Sequence, residues 1–312
     1  MAEADGRSLL LVGGGGGLLG RAIVDQFGPE WKIRSVHRHR ATTELRDGVE
    51  WLPGDVSTID RWEEVVQGID IVINVAWYRH GSRRRFEPLT SGLLRLLAAA
   101  VRERVPRFLQ VSVPPAPERL ECSVPYFTFK RVFDRALTES GLSYTIVRPG
   151  MLFGPEDRFL SVMLRRMHRY SFFPMFADGE YHVSPLSVRD LAHVLRHEAD
   201  RDTRRTVTGG GPARWRFRDL TDRMFEVLGK RPSYWPLSAD SSVRLARTLE
   251  RWVGSSPIYA YEVEWFLSDM LGLPPIEELD RPLTPVEPFL TEEVARLRRK
   301  KGYAAGSTGR SR

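Results

Sequence analysis

Cysteine is almost absent from this 312-residue sequence, where Cys122 stands alone. One thiol cannot form a disulfide framework within the chain, and it excludes a Cys-rich zinc or iron–sulfur centre. Long apolar runs are also missing. Stretches such as Ile71 to Trp77 fall far short of the ~20 residues that a membrane-spanning helix needs. The opening Met-Ala-Glu-Ala-Asp carries two acids and meets strand-like sequence by Ser8, so no secretory or Arg-rich transit peptide is expected there. Metal-ligand spacing is lacking too. His193 and His197 lie one helical turn apart without an accompanying carboxylate motif, and His168 has no second histidine in register, so all three read as structural or surface residues.

What is present is a sizeable core and a modest excess of cations. Hydrophobic residues make up 42% of the chain, which excludes wholesale disorder. Its length allows about two domains, or one large domain with an appended lobe. Lys and Arg number 47 against 40 acids, a formal charge of +7. The cations gather at His37–Arg40, Arg83–Arg85 and Arg296–Lys301. No aromatic residues interleave them in the manner that stacks bases, so nucleic acid is not the expected partner.

The first 150 residues alternate short aliphatic runs with helix-period segments, the pattern of a parallel α/β sheet. Strands are expected at Ser8–Val12, Lys32–His37, Val49–Leu52, Asp70–Val75, Arg107–Ser112 and Tyr144–Arg148. Helices are expected at Leu19–Phe27, Ile59–Val66, Thr90–Arg104 and Tyr126–Ser140. Beyond Arg148 the alternation loosens into helices near 188–195, 217–228, 243–253 and 261–271, and a charged helix from Glu292 to about Lys301. The expected division is a dinucleotide-binding domain over 1–210, a smaller helical lobe over 211–272 with parts of 150–185, and a Pro-rich, basic extension over 273–312.

Directly after the first strand comes Gly13-Gly14-Gly15-Gly16-Gly17-Leu18-Leu19-Gly20, in which Gly14, Gly17 and Gly20 fit GxxGxxG. Between a strand and a helix, such glycines let the backbone turn tightly and approach a pyrophosphate, which the helix amides then face. This is the signature of a Rossmann-type, doubly wound parallel sheet, here with a smaller, mostly helical C-terminal lobe and a C-terminal extension. An enzyme using NAD usually carries an acid at the end of the second strand. Val36-His37-Arg38-His39-Arg40 has none. Arg38, and less directly Arg40, suit a ribose 2′-phosphate, so NADPH is favoured over NADH. Asp55 either accepts a bond from the adenine amino group or stabilises its own turn.

Tyr126 and Lys130 have the spacing YxxxK, which places phenol and ammonium on one helix face. Ser112 ends a strand 14 residues earlier. Two readings stand: a Ser112–Tyr126–Lys130 proton-transfer set, or a vestige in which Tyr126 and Lys130 serve only as cofactor ligands. On these motifs the chain resembles the short-chain dehydrogenase/reductase superfamily, in its extended or atypical branch. Three departures argue against ordinary turnover: Val113-Pro114-Pro115-Ala116-Pro117 after the serine, the bulk of Phe127 and Phe129 beside the tyrosine, and Gly13 where the family prefers Ser or Thr.

Downstream segments narrow the resemblance. Ile146-Val147-Arg148-Pro149-Gly150, Phe153-Gly154-Pro155-Glu156-Asp157-Arg158-Phe159-Leu160 and Met167-His168-Arg169 resemble the dehydrogenase-like accessory subunit of respiratory complex I. So do Asp70–Asn74 and, in order and spacing, Ser268–Met270, Leu273-Pro274, Ile276–Leu279, Thr284–Glu287 and Leu297–Arg299. The resemblance implies a non-catalytic subunit of NADH:ubiquinone oxidoreductase that holds NADPH tightly and lies peripherally on the matrix side of the mitochondrial inner membrane, near the quinone region. A bacterial origin would place it on the cytoplasmic face of the plasma membrane. It also implies cofactor contacts from Gly14, Gly17, Leu18, Leu19, Gly20, Arg38, Arg40, Asp55, Ala76, Ser112, Tyr126, Lys130 and Pro149. Neighbouring subunits would be the partners, with anionic lipid headgroups as candidates for Arg83–Arg85 and for Arg296, Arg298, Arg299, Lys300 and Lys301. For the terminal cluster the alternative is that cations near a helix C-terminus complement its dipole. The rival readings are a soluble NADPH-dependent reductase or epimerase and, less favoured, a cofactor-sensing or RNA-associated relative.

Overall fold

The computed structural model describes residues 6–13, 16–38, 48–155, 157–252, 258–276 and 279–307, with side chains up to residue 299. In chain order the elements begin with β1 (Ser8–Val12), α1 (Leu18–Phe27), β2 (Lys32–His37), β3 (Val49–Pro53), α2 (Trp62–Val66) and β4 (Ile71–Asn74). There follow α3 (Arg83–Arg102), β5 (Arg107–Val111), α4 (Glu118–Ser123), α5 (Pro125–Glu139), β6 (Tyr144–Pro149), β7 (Leu152–Phe153) and α6 (Leu160–Tyr170). Next come β8 (Phe173–Phe176), β9 (His182–Val183), β10 (Leu186–Ser187), α7 (Val188–Ala199) and β11 (Arg204–Gly209). The remainder holds β12 (Trp215–Arg216), α8 (Phe217–Leu228), β13 (Tyr234–Leu237), α9 (Ala239–Trp252), α10 (Ala260–Leu267) and α11 (Val286–Ser307).

These elements form two units. The first comprises Met1–Gly150, Val188–Gly209 and Ile276–Pro282, and the second Met151–Ser187, Gly210–Pro275 and Leu283–Arg312. The expected boundary at 210 therefore meets a chain that leaves the first unit at 151 and returns at 188. The expected separate extension from 273 is shared out: 276–282 lies with the first unit and α11 with the second.

The first unit is built on a seven-stranded sheet in the order β11-β6-β5-β4-β1-β2-β3. All of its pairings are parallel. Ile71–Asn74 and Arg107–Val111 are buried throughout, as strands covered on both faces must be, which is why they read as near-continuous aliphatic runs. The order reverses between β1 and β4, so the crevice at their C-terminal ends is a topological switch point. Leu10, Val12, Val72 and Phe108 meet Leu93, Leu96 and Ala100 of α3 and Phe133 and Leu137 of α5 in one core. Gly92 lets α3 come close, because a Cβ there would stand 1.9 Å from the Val56 carbonyl oxygen.

Two elements depart from the sequence pattern. Helix α3 starts at Arg83, not Thr90, since Pro88 near the helix start removes one N–H bond without ending the helix. The sheet also gains β11 at its edge, where alternate residues of Arg204–Gly209 are exposed and the apolar signal is weak.

A polar node ties β5, β6, α7 and β11 together. Glu198 is fully buried and Arg107 nearly so. Arg107 donates to the Glu198 backbone oxygen (3.1 Å), to Ser143 Oγ (2.8 Å) and to the Thr203 carbonyl (2.6 Å). The Glu198 carboxylate accepts from Thr145 Oγ1 at 2.8 Å and from both Nε and Nη2 of Arg205. Burial raises its pKa, but the Arg205 and Thr145 hydrogen bonds outweigh that and leave it below the ordinary carboxylate range.

In the second unit, α11 packs on α6 and α8. Phe217 lies at the centre of an aromatic cluster with Phe173, Phe176, Tyr181 and Phe266, ring centroids 5.1–6.4 Å apart. Asp157 opens α6, accepting from the N–H groups of Phe159, Leu160 and Ser161 and from Ser161 Oγ. The Asp157-Arg158-Phe159-Leu160 stretch is thus a helix start at which one carboxylate satisfies three backbone donors. At the other end Lys230 Nζ donates to the carbonyls of Met167 and His168, which makes His168 part of a closed helix terminus.

Replacing Glu198 by Ala should lower stability by about 3–5 kcal/mol, because Arg107 would be left as a buried charge. Since the folded pKa of Glu198 is depressed, its contribution is present above the unfolded value of ~4.3 and is lost as pH falls further. The gap between parent and variant in urea unfolding should therefore narrow as pH falls from 7 to 3.

Candidate dinucleotide site

The C-terminal ends of β1, β2 and β4 place the sequence-predicted cofactor residues. Val12 ends β1 and the chain turns at Gly13, whose φ of +77° favours glycine. Its N–H donates to the Val36 carbonyl at 2.9 Å. A Cβ at Gly13 would stand 2.4 Å from that of Ala76, itself buried after β4 with its N–H on Asn74 Oδ1. The departure at Gly13 therefore has a steric reason, and Ala76 forms the opposite wall. Gly14 lies outside the described residues. Gly17 is the N-cap of α1, without a side-chain cap, and no acid occupies the first turn that Leu18, Leu19 and Gly20 begin. Among the described residues no side chain caps that turn, so its N–H groups can face an anion, which the helix dipole favours.

Arg38 follows β2 and is half exposed. Its Nε lies 3.6 Å from Asp55 Oδ2 and its guanidinium sits 5.1 Å from the centroid of the Tyr78 ring. Asp55 takes the turn role: Oδ1 accepts from the Ser57 N–H (2.9 Å) and Ser57 Oγ (2.6 Å), and its carbonyl accepts from the Thr58 and Ile59 N–H groups. Partial burial raises its pKa, yet the two Ser57 bonds and Arg38 bring it below the ordinary value. Arg40 lies outside the described residues.

The third group lies on α5. Lys130 is buried, with Nζ 4.5 Å from the centroid of the Trp77 ring, and Trp77 Nε1 donates to the Tyr126 carbonyl at 3.3 Å. Burial holds the Lys130 pKa at about 7, with Asp134 pulling it up and Arg131 pushing it down. Tyr126 is half-buried, edge-on to Phe127 at 5.1 Å. Ser112 departs from the substrate-facing reading, since its hydroxyl donates to Asp134 Oδ2 at 2.6 Å and both residues are buried. The same carboxylate oxygen receives Arg148 Nη2 (3.2 Å) and Arg131 Nη1 (3.4 Å).

Arg131 extends this network into the proline-rich loop. It pairs with Glu121 through two bonds (2.7 and 2.8 Å) and donates to the carbonyls of Val113 and Pro114. Glu121 in turn accepts from the Ala116 N–H at 2.9 Å. The segment 113–117, rich in residues that cannot donate, is thereby clamped. Asp134, Arg131, Glu121 and Trp77 were not singled out from the sequence. The signal for Asp134 was its place four residues after Lys130, on the same helix face.

Pro149 ends β6, paired with Gly209. In the second unit, Arg296 pairs with the buried Glu293 at 3.1 Å and Arg298 donates to the Leu228 carbonyl at 3.3 Å, so two cations of the terminal cluster serve the unit itself. Arg299 is exposed, and the side chains of Lys300 and Lys301 lie outside the described ones. Among the described residues no three His, Cys, Asp or Glu side chains cluster as a metal site, and no helix is long and apolar enough to cross a membrane.

The architecture is that of the Rossmann-type, NAD(P)-binding α/β proteins, and comparison with known proteins agrees. A family model described as NAD(P)H-binding matches residues 14–165. Among solved structures, a UDP-N-acetylglucosamine 4-epimerase from Methanobrevibacter ruminantium M1 in complex with UDP-N-acetylmuramic acid superposes with a TM-score of 0.72 at 15% identity, covering 95% of this chain and 99% of that one. A nucleoside-diphosphate-sugar epimerase from Staphylococcus aureus gives 0.71 at 17% identity, covering 91% and 99%. The Bordetella bronchiseptica enzyme WbmH in complex with NAD+ gives 0.66 at 15% identity, covering 94% and 98%. A curated Arabidopsis thaliana protein, NADH dehydrogenase [ubiquinone] 1 alpha subcomplex subunit 9, mitochondrial, is 25% identical over 185 residues. That stretch is 56% of this chain and 44% of the relative, so the match spans less than half of the relative's length.

The buried lysine has a measurable signature. Unfolded, it keeps its proton to a pH of ~10.4, whereas folded it releases it near 7. Between these values unfolding takes up a proton, so stability should rise with pH, by at most about 1.4 kcal/mol per unit. Lys130→Met should flatten that rise in denaturant titrations from pH 7 to 9. Parallel profiles would mean the amine is solvated.

Proposed function

We propose that this chain binds NADPH as a retained, non-reacting ligand and serves as an accessory subunit of a respiratory NADH dehydrogenase. The observation that carries this reading is the commitment of Ser112 to the buried Asp134, beside a loop clamped by Arg131 and Glu121. A serine hydroxyl that donates its hydrogen bond to a buried carboxylate is not offering it to a substrate oxygen. The nucleotide cradle, in contrast, keeps its parts: a glycine-only turn at Gly13, an open α1 N-terminus and a cation at the end of β2.

The residues fit a dinucleotide. First-turn amides from Leu18 onward would face its pyrophosphate, Arg38 a 2′-phosphate, and Lys130 the nicotinamide ribose. A bound nicotinamide supplies hydride chemistry. What the chain's own groups contribute is binding and water exclusion, with Trp77 covering the Lys130 amine. The resemblance in 146–169 and 268–303 and the 25% identity to the Arabidopsis complex I subunit support the assembly and a peripheral place on the matrix side of the mitochondrial inner membrane.

A second reading, an NADPH-dependent reductase or epimerase, is favoured by the likeness to sugar-nucleotide epimerases across nearly the whole chain and by the shared helix of Tyr126 and Lys130. It requires turnover on a carbonyl or UDP-sugar panel that Tyr126→Phe abolishes.

A ligand bound only by the folded state stabilises it by about 2.7 kcal/mol at ~100 times its dissociation constant. NADPH should therefore raise the melting temperature by a few degrees and NADH by less, and Arg38→Ala should erase the difference. Native-gel fractionation of source membranes should place the chain with NADH dehydrogenase activity. A small free species that turns over carbonyls would reverse the assignment.

A further inference from the structure

The second unit holds a cavity of about 270 Å³ that the nucleotide reading does not use. A water's share of liquid volume is ~30 Å³, so this is space for a ligand and not a packing defect. Its walls come from α6, β8, β13 and α9, with Met163, Phe173, Leu245 and Leu249 among them, and among the described residues Arg166 is the one charged side chain lining it.

The mouth is unusual. Seven large hydrophobic side chains stand exposed among the described residues, and three of them, Tyr170, Phe172 and Trp235, line this cavity. A fourth, Trp252, 84% exposed, ends α9. Helix α9 buries only Ser242 and Ala246, although Val243, Leu245 and Leu249 give it an apolar side. Exposed aromatics gathered around an apolar opening mark a binding surface.

Charge selects the occupant. Arg165, Arg166 and Arg169 are exposed on α6. Arg244, Arg247 and Arg251 are exposed on α9, where Arg247 reaches Glu264 at 3.4 Å. Aromatics with one polar edge, a basic fringe and an apolar hole together match the boundary between acyl chains and anionic headgroups.

We propose that this cavity takes an acyl chain of an anionic phospholipid, with Arg166 at the headgroup and Tyr170, Phe172 and Trp235 at the interface. The site is independent of the nucleotide, so either assignment can fail alone.

The test uses the full chain. It should float with phosphatidylcholine vesicles that contain phosphatidylglycerol and stay behind with phosphatidylcholine alone. Tryptophan emission should shift to the blue on binding, and the shift should shrink in Trp235→Tyr. Dodecyl phosphate should compete, whereas inorganic phosphate should not, which separates chain capture from simple anion binding. Ala246→Phe, which fills the cavity, and the exposed Arg166→Glu should each weaken flotation by roughly tenfold or more. A parent-like far-UV circular dichroism spectrum and melting temperature would show that these variants are folded. Equal flotation on both vesicles, displacement by inorganic phosphate, or undiminished flotation of folded Ala246→Phe would overturn the proposal. So would a stable dimer that Trp235→Ser dissociates, since the mouth would then be covered by a second copy.

Discussion

Asp134 is the residue on which the candidate site turns. A carboxylate that is 3% exposed needs nearby donors in place of its water, and four side chains converge on it. Ser112 gives it a hydroxyl, Arg131 and Arg148 give it cations, and Lys130, one helical turn away, feels its charge. The arrangement is not fully satisfied: Asp134 Oδ1 and Arg148 Nε are buried without a protein hydrogen-bond partner. Breaking the node would therefore expose or strand several charges at once, which holds the serine in place more firmly than a single hydrogen bond could.

The same node connects covalently distant parts of the first unit. Ser112 ends the stretch after β5, Arg148 belongs to β6, and Arg131 and Asp134 lie on α5. Through Arg131 and Glu121 the constraint reaches the 113–117 loop. Prolines within that loop cannot donate to neighbours, so its order depends on donors from outside, and a planar guanidinium supplies several in one fixed fork. Stiffness beside Tyr126 follows from this chemistry. A loop held by a half-buried, doubly bonded ion pair is poorly suited to open and close over successive substrates.

Much of the fold was legible because strands buried on both faces have no alternative appearance. Leu9-Leu10-Leu11-Val12 and Ile71-Val72-Ile73 declare themselves, and the glycines between β1 and α1 mark the turn. The edge strand β11 was hidden because Arg204 and Arg205 look like surface sequence until β6 is available to pair with them. The start of α3 was hidden by Pro88 and by three arginines where a helix dipole favours acids. Of the site, the positions were readable and the bonding was not. YxxxK announced Lys130 and Tyr126, and the turn role of Asp55 was one of its two readings, but nothing local says that Ser112 turns to Asp134. The cavity of the second unit was out of reach, since its walls come from four separate stretches whose aromatics look like ordinary core.

Electrostatics around the first unit's switch point carries the last step. Arg38 and Arg85 both stack on Tyr78, at 5.1 and 4.2 Å from the ring centroid, and Arg83 covers Phe129 at 5.3 Å. Placing Arg83, Arg84 and Arg85 in the first turn of α3 adds cations at a positive helix end, which costs stability unless something offsets it. The rings offset part of it through their negative faces, and Glu87 pairs with Arg83 at 3.2 Å. Repulsion between guanidiniums that share one ring is only partly relieved by Asp55. A phosphorylated dinucleotide of the class proposed would lower the energy of these cations together. Binding of such a ligand and the unit's stability would then be two expressions of one charge balance.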